Sequence, residues 1–326
     1  MGNESWNATV AGGYESSKIS ASTSALIAAY LLGSGIVSSL ANSLNLLVLR
    51  RRDGREEDAP SWLPQAALSI CDFTVSLLHP LGAASALARR WTYGSPFCSI
   101  YAWLCFVLGN FTLVAPVFVL AESVFGQRKP WWRSKGGYSI ILALLVGHSV
   151  FWGSAPLLGW AAYGPSDGGI CCTLLKGKDL GYKLYVMLYA TAALVIPQLL
   201  GWAILCHSRH HIFLGGLTMA MPLVLFMPYG YIHFFNILTG HKPPLFASLI
   251  APLAAKTNSM LTPLLHLYEK ADEVKQTLQE LLPIFSSPQP LYIQASPHKG
   301  ENEHSGANGQ NNGEVCQHRP QCESAL

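Results

Sequence analysis

The sequence contains few charged residues. Asp, Glu, Lys and Arg make up 12% of its 326 residues, whereas a soluble domain carries about 25%. Hydrophobic residues make up 50% of the chain, and the mean hydropathy is +0.29. The charges lie in short stretches between long apolar runs. This distribution is typical of a chain whose solvent is lipid.

Other classes of protein are disfavoured by motifs that the sequence lacks. A net charge of +3, with no basic patch interleaved with aromatic residues, argues against nucleic acid as a partner. The eight cysteines do not form a zinc pattern, and we interpret the histidine-rich run 207–211 as a polar loop, so no metal site is expected. Without a catalytic triad, phosphate loop or heme motif, we expect no conventional enzyme. The first 20 residues show no signal-peptide pattern, so the first membrane helix is expected to direct insertion.

Seven apolar stretches are long enough to cross a bilayer, which takes about 20 helical residues. They are 24–49, 63–88, 97–125, 138–160, 184–206, 212–235 and 245–268. We therefore predict an all-α fold, a seven-transmembrane helix bundle over residues 24–268. Residues 1–23 are expected to form an extracellular tail, 269–285 an amphipathic helix at the interface, and 286–326 a disordered cytoplasmic tail.

Loop charges and glycosylation motifs predict the orientation in the membrane. With the N-terminus outside, the inner loops carry a small excess of Lys and Arg. The sequons at Asn3 and Asn7 need a lumenal N-terminus, and a disulfide at Cys98 needs an oxidising side. We expect an integral protein of the plasma membrane, glycosylated at Asn3 and Asn7, with its C-terminus in the cytoplasm.

Lys256 is the most informative residue. It lies near the middle of the seventh stretch, too far from either interface for its side chain to reach water. An ionised lysine at the bilayer centre costs at least about 2.5–3.5 kcal/mol. An ion pair with Asp72 or Glu122, a neutral amine or a transport pathway would each account for it. Little other intramembrane charge accompanies it and no broken-helix repeat is evident, so we favour a Schiff base, formed when the free amine attacks an aldehyde.

Residues around this lysine resemble the opsin family. The segment 251–259 is similar to the opsin segment that surrounds the retinal-binding lysine, and Pro263 follows where opsins have the proline of their Asn-Pro-x-x-Tyr motif. The second outer loop resembles most closely the retinochrome, photoisomerase-type, peropsin and neuropsin group. The other matching positions, in chain order, are Asn45, Asp72, 91–94, Cys98, 156–174, Pro197, Pro228 and Tyr229.

The resemblance implies a cofactor, a disulfide and a pocket. The cofactor is retinal, 11-cis or all-trans, bound through a Schiff base on Lys256. The disulfide joins Cys98 to Cys172, with Cys171 as the alternative partner. The implied pocket residues are Tyr101, Gly109, Asn110, Phe226 and Tyr229. Simple helix packing is the other explanation for the residues at positions 109 and 226.

The counterion departs from the family pattern. Tyr101 occupies the position of the third-helix carboxylate, and Ser166 that of the loop glutamate. The neighbouring Asp167 is the candidate counterion. If it turns inward, the Schiff base is held protonated and the pigment absorbs visible light. If it faces solvent, the imine stays neutral and absorbs in the near ultraviolet.

The signalling motifs depart as well. The family's Glu/Asp-Arg-Tyr triplet reads Glu122-Ser123-Val124, its Asn-Pro-x-x-Tyr motif reads Thr-Pro-Leu-Leu-His at 262–266, and the third inner loop is short. Two functions remain open: a light-sensing receptor that activates a heterotrimeric G protein, and a non-signalling retinal photoisomerase or retinal-binding protein. A damaged opsin sequence is a third explanation of the short loop.

Overall fold

The computed structural model describes residues 19–53, 61–128, 131–207 and 212–281. The predictions for Asn3, Asn7 and the tail 286–326 lie outside these residues, as does most of the run 207–211.

The described residues form a bundle of long helices. In chain order the helices are α1 (Ala21–Asp53), α2 (Leu63–Leu87), α3 (Ser95–Phe125), α4 (Lys135–Ser154), α5 (Leu180–His207), α6 (Ile212–Thr239), α7 (Leu245–Glu269) and α8 (Ala271–Leu281). Six of them, α1 to α6, are long and apolar enough to cross a membrane. Helix α7 has 25 residues, and its hydropathy is lowered by buried polar side chains such as Lys256 and Asn258. The predicted seven-helix bundle of an integral membrane protein is thus confirmed.

Two helices are interrupted where a proline lies. Helix α2 consists of Leu63–Leu77 and His79–Leu87, and Pro80 follows the break. Helix α5 widens into a π turn over Ala190–Val195, and Pro197 follows two residues after its end. Proline has no N–H and its ring conflicts with the carbonyl four residues earlier. A π turn within an α-helix is rare and is frequently found at a functional site.

Another proline determines how α7 packs against α1. Pro263 cannot donate to the carbonyl of Ser259, which is buried. Two side chains of α1 donate to this carbonyl instead, Ser38 Oγ at 2.8 Å and Asn42 Nδ2 at 3.1 Å. Ser259 Oγ in turn donates to the carbonyl of Lys256 at 2.9 Å. These bonds fix the part of α7 that carries Lys256.

A short β hairpin covers one end of the bundle, which we call the hairpin end. Strand β1 (Tyr163–Pro165) pairs antiparallel with β2 (Cys172–Leu174). The Tyr163 hydroxyl donates to the carbonyl of Gly153 on α4 at 2.8 Å. A disulfide joins Cys172 to Cys98 near the start of α3, with a Cα–Cα distance of 5.4 Å. The hairpin is therefore attached to both α3 and α4.

Candidate functional site

A cavity of about 140 Å³ lies inside the bundle, beneath the hairpin. Its walls come from α2, α3, α5, α6 and α7, and three hairpin residues, Cys172, Thr173 and Leu174, lie over it. The lining is mainly apolar and aromatic, with Phe226 and Tyr229 contributed by α6. Concave, mainly apolar cavities with a few polar groups are the usual form of small-molecule sites.

Lys256 lines this cavity and is 9% exposed. Its Nζ lies 3.8 Å from Cys105 Sγ and 5.4 Å from the centroid of the Tyr101 ring. The ring face attracts a cation, but no carboxylate of the described residues forms a hydrogen bond or ion pair with the amine. The sequence predicted the depth of this lysine, and the structure shows that its neighbours are an aromatic ring and a thiol.

Neither of the two carboxylates considered as ion-pair partners contacts the lysine amine. Glu122 accepts a hydrogen bond from Trp132 Nε1 at 3.0 Å, and its Oε1 lies 3.5 Å from Arg133 Nε. Asp72 is 1% exposed and lines the cavity, yet neither carboxyl oxygen has a hydrogen-bond partner among the described residues. Neither of them pairs with Lys256.

The structure brings most of the sequence-predicted pocket residues together. Gly109, Asn110, Phe226 and Tyr229 all line the cavity. A Cβ added at Gly109 would lie 3.5 Å from the Phe226 ring, so these two positions pack directly against each other. Tyr101 is not part of the lining but is buried beside the lysine amine.

Asp167, the candidate counterion, is not among the residues that line the cavity. It pairs with Lys176, and its Oδ2 accepts a hydrogen bond from Ser248 Oγ at 2.8 Å. Ser248 precedes Lys256 by eight positions, or about 12 Å along the helix axis. Burial raises the pKa of the Asp167 carboxyl, but the Lys176 and Ser248 hydrogen bonds and nearby lysine charge outweigh this effect, and the pKa is lowered overall. Asp167 is thus an ionised carboxylate paired with another lysine.

Cys105 is the contact of Lys256 that the sequence did not reveal. The spacing along α3 could have indicated this contact. Cys105 follows Tyr101 by four residues, and residues at this spacing share a helix face. Tyr101 was already expected in the pocket, so the next residue on the same face was a candidate as well. The hairpin residues over the cavity were also not assigned to the pocket.

Comparisons with known proteins give a consistent result, although no family model matches the chain. The crystal structure of squid rhodopsin superposes with a TM-score of 0.64 at 15% identity, covering 82% of this chain and 87% of that one, which shows the same fold. The visual pigment-like receptor peropsin of Mus musculus is 28% identical over 188 residues, and the retinochrome of Todarodes pacificus is 26% identical over 218 residues. The chain is similar to the opsins in sequence and in fold.

The alignment of the chain with these two opsins is partial. It comprises 56% of the chain and 55% of mouse peropsin, and 57% of the chain and 71% of retinochrome. The chain therefore spans about half the length of the mouse peropsin that it matches. Both relatives belong to the group of opsins that the second outer loop resembles.

Proposed function

We propose that this chain is an opsin that binds retinal through a Schiff base on Lys256. The observation that carries the proposal is a lysine amine, 9% exposed, that opens on an apolar cavity and has no carboxylate partner among the described residues. A desolvated amine of this kind is the form that attacks an aldehyde. The apolar cavity walls suit a long hydrocarbon chain.

The residues around Lys256 would hold and protect such a ligand. Phe226 and Tyr229 offer aromatic surface along the cavity, and Gly109 leaves room beside the Phe226 ring. The hairpin, held by the Cys98–Cys172 disulfide, limits the access of water that hydrolyses an imine. Retinal, when bound, supplies light absorption and a double bond that isomerises.

We further propose that the linkage is unprotonated in the dark. A protonated nitrogen in an apolar cavity requires a nearby negative charge. Asp167 is held by Lys176 and Ser248 at the hairpin end, and Asp72, which also lines the cavity, forms no ion pair with Lys256. The pigment is therefore expected to absorb in the near ultraviolet.

The test is a difference spectrum of the purified full chain after adding 11-cis or all-trans retinal. Borohydride reduction followed by peptide mass analysis should locate the adduct on Lys256. Lys256→Ala should abolish the adduct, whereas Lys178→Ala, which removes an exposed loop lysine, should not. The proposal fails if wild type takes up neither isomer, or if Lys256→Ala retains covalent binding.

The orientation is proposed on the same basis. We propose that the hairpin end is extracellular, that the chain lies in the plasma membrane, and that α8 lies at the cytoplasmic interface with the tail after it. The Cys98–Cys172 disulfide at the hairpin end supports this orientation, because disulfides persist on the oxidising side. A glycosidase-sensitive shift in mass that disappears when Asn3 and Asn7 are both replaced would establish it.

Light-driven signalling through a heterotrimeric G protein is one consequence of this proposal, and photoisomerisation without signalling is the other. A specific contact favours the second. Arg133, from the segment between α3 and α4, lies 3.5 Å from Glu122 and donates to the carbonyl of Gly126 at 2.8 Å. Arg133 therefore pairs with the carboxylate of the altered triplet. The second residue of this triplet is Ser123, where the family has arginine.

Two measurements separate these functions. Light-dependent nucleotide exchange on a panel of G proteins should show no activity if the chain only isomerises retinal. Extraction of the chromophore before and after illumination should then show a net conversion between isomers. Robust light-dependent exchange would establish the receptor instead.

A further inference from the structure

The attachment of retinal proposed above does not use the thiol of Cys105, although its Sγ contacts Lys256 Nζ. The two atoms lie 3.8 Å apart, and Cys105 is a free cysteine that lines the cavity. A protonated amine buried in apolar surroundings needs a partner. Among the described residues, Cys105 is the only one that hydrogen bonds to this amine.

The Cys105 thiol can exchange a proton with the Lys256 amine, which the Tyr101 ring face cannot do. An amine and a thiol together are neutral, and so are an ammonium and a thiolate. A proton can therefore move between nitrogen and sulfur without adding net charge to the cavity, which avoids the large penalty of burying an unpaired ion. A carboxylate partner would instead hold the ammonium form and oppose attack by the amine.

We propose that Cys105 is the acid–base partner of Lys256, which accepts protons from Nζ and passes them to the oxygen of the aldehyde as the linkage forms. This inference rests on the proposed function, because it concerns the same amine. Cys105 is then a catalytic residue for attachment and, in reverse, for release.

The proton balance is complete without any other reagent. Formation of the linkage makes a carbon–nitrogen double bond and breaks the carbon–oxygen double bond. The oxygen leaves as water, with two hydrogens that both come from the neutral amine. Cys105 gives its thiol proton to the oxygen and takes one from Nζ, and does this twice. It ends as the thiol that it was, and nothing is oxidised or reduced.

The first experiment needs no retinal. The retinal-free full chain is treated with methyl methanethiosulfonate, a small neutral reagent that reacts with the thiolate, and modification at Cys105 is followed by mass spectrometry. Replacing the amine by Lys256→Met should slow this modification by about tenfold or more, because the sulfur then has no amine to take its proton. Cys206, exposed near the end of α5, serves as the internal control and should react equally in both proteins. Equal rates at Cys105 overturn the proposal.

The second experiment measures attachment. Borohydride-trapped adduct at Lys256 is followed over time in wild type, Cys105→Ser and the control Cys206→Ser. The loss of an acid–base group should slow Cys105→Ser by about 100-fold or more, while the final amount of adduct stays the same and shows that the variant is folded. No adduct in wild type refutes retinal binding itself. Adduct that forms in Cys105→Ser as fast as in wild type refutes only the role of Cys105.

Discussion

Substitution of Asp167 by asparagine should reduce stability without changing the absorption spectrum. Asp167 lies between the hairpin strands, where it pairs with Lys176 and accepts a hydrogen bond from Ser248 at the start of α7. Asparagine keeps the size and an acceptor oxygen for Ser248 but removes the charge. Because the carboxylate is engaged with Lys176, its loss should weaken the attachment of the hairpin to α7 and leave the Lys256 nitrogen unaffected.

The magnitude follows from the exposure of the pair. The side chains of Lys176 and Asp167 are 12% and 23% exposed, so solvent screens this pair less than a typical surface pair. Hydrogen bonds to charged groups contribute about 1.5–3 kcal/mol each. We expect Asp167→Asn to lower the free energy of unfolding by about 1–3 kcal/mol, and Lys176→Gln to lower it by a similar amount.

The assay is a double-mutant cycle on the purified protein, with thermal unfolding and absorbance measured on the same samples. If the two side chains act as a pair, the double variant should be little worse than either single variant. All the retinal-loaded proteins should have the same absorption maximum. A spectral shift in Asp167→Asn alone would refute the reasoning and restore Asp167 as the counterion, and additive losses would refute the pairing.

The same pair should be sensitive to acid. The pKa of Asp167 is lowered in the folded protein, so its stabilising contribution is fully present above the unfolded-state value of about 3.9 and is lost as the pH falls through the lowered folded value. Asp167→Asn should remove this component, so that wild type and variant converge in stability at low pH. Stability curves that stay parallel down to that pH would contradict the assignment.

Three further substitutions test the packing around the site. Cys98→Ala should destabilise the protein by about 2–5 kcal/mol and speed the loss of bound retinal to hydroxylamine; unchanged release would show that the disulfide does not hold the hairpin over the cavity. Gly153→Val should cost about 1–3 kcal/mol in thermal unfolding, because a Cβ there would lie 2.4 Å from a valine methyl of α3, whereas Gly147→Val on the same helix meets nothing within 4 Å and should be better tolerated. Asn42→Ala should cost about 1 kcal/mol by removing a donor to the Ser259 carbonyl, and an unchanged unfolding midpoint would mean that Ser38 alone satisfies it.

Local composition was sufficient to predict the number and approximate position of the helices. A membrane span depends on the mean hydropathy of about 20 neighbouring residues, and this property can be summed along the chain. The ends shifted by a few residues, for example from 24 to 21 in α1 and from 97 to 95 in α3. Helix ends depend on capping, such as the Ser134 side chain that accepts from the backbone N–H of Gly137 at the start of α4. Each such contact is a single hydrogen bond, which the mean hydropathy of a segment does not detect.

Part of the site could also be predicted, because some of its residues occupy helix positions that match the pattern of the opsin family. Gly109, Asn110, Phe226 and Tyr229 line one cavity, and the resemblance to the opsin family implied all four as pocket residues. The partner of each charged group could not be predicted in this way. Asp167 pairs with Lys176, and Glu122 with Arg133, through loops whose direction no periodicity encodes.

The sequence by itself determined that a lysine lies in the apolar part of a seven-helix membrane protein, because the burial of a residue within a span follows from its distance to the nearest polar segment. Only the tertiary structure decided what surrounds that lysine. Helix α3 turns Cys105 and the Tyr101 ring toward the amine, while the hairpin holds Asp167 against the start of α7. These arrangements depend on how helices and loops pack across long sequence separations, where a small rotation exchanges one neighbour for another.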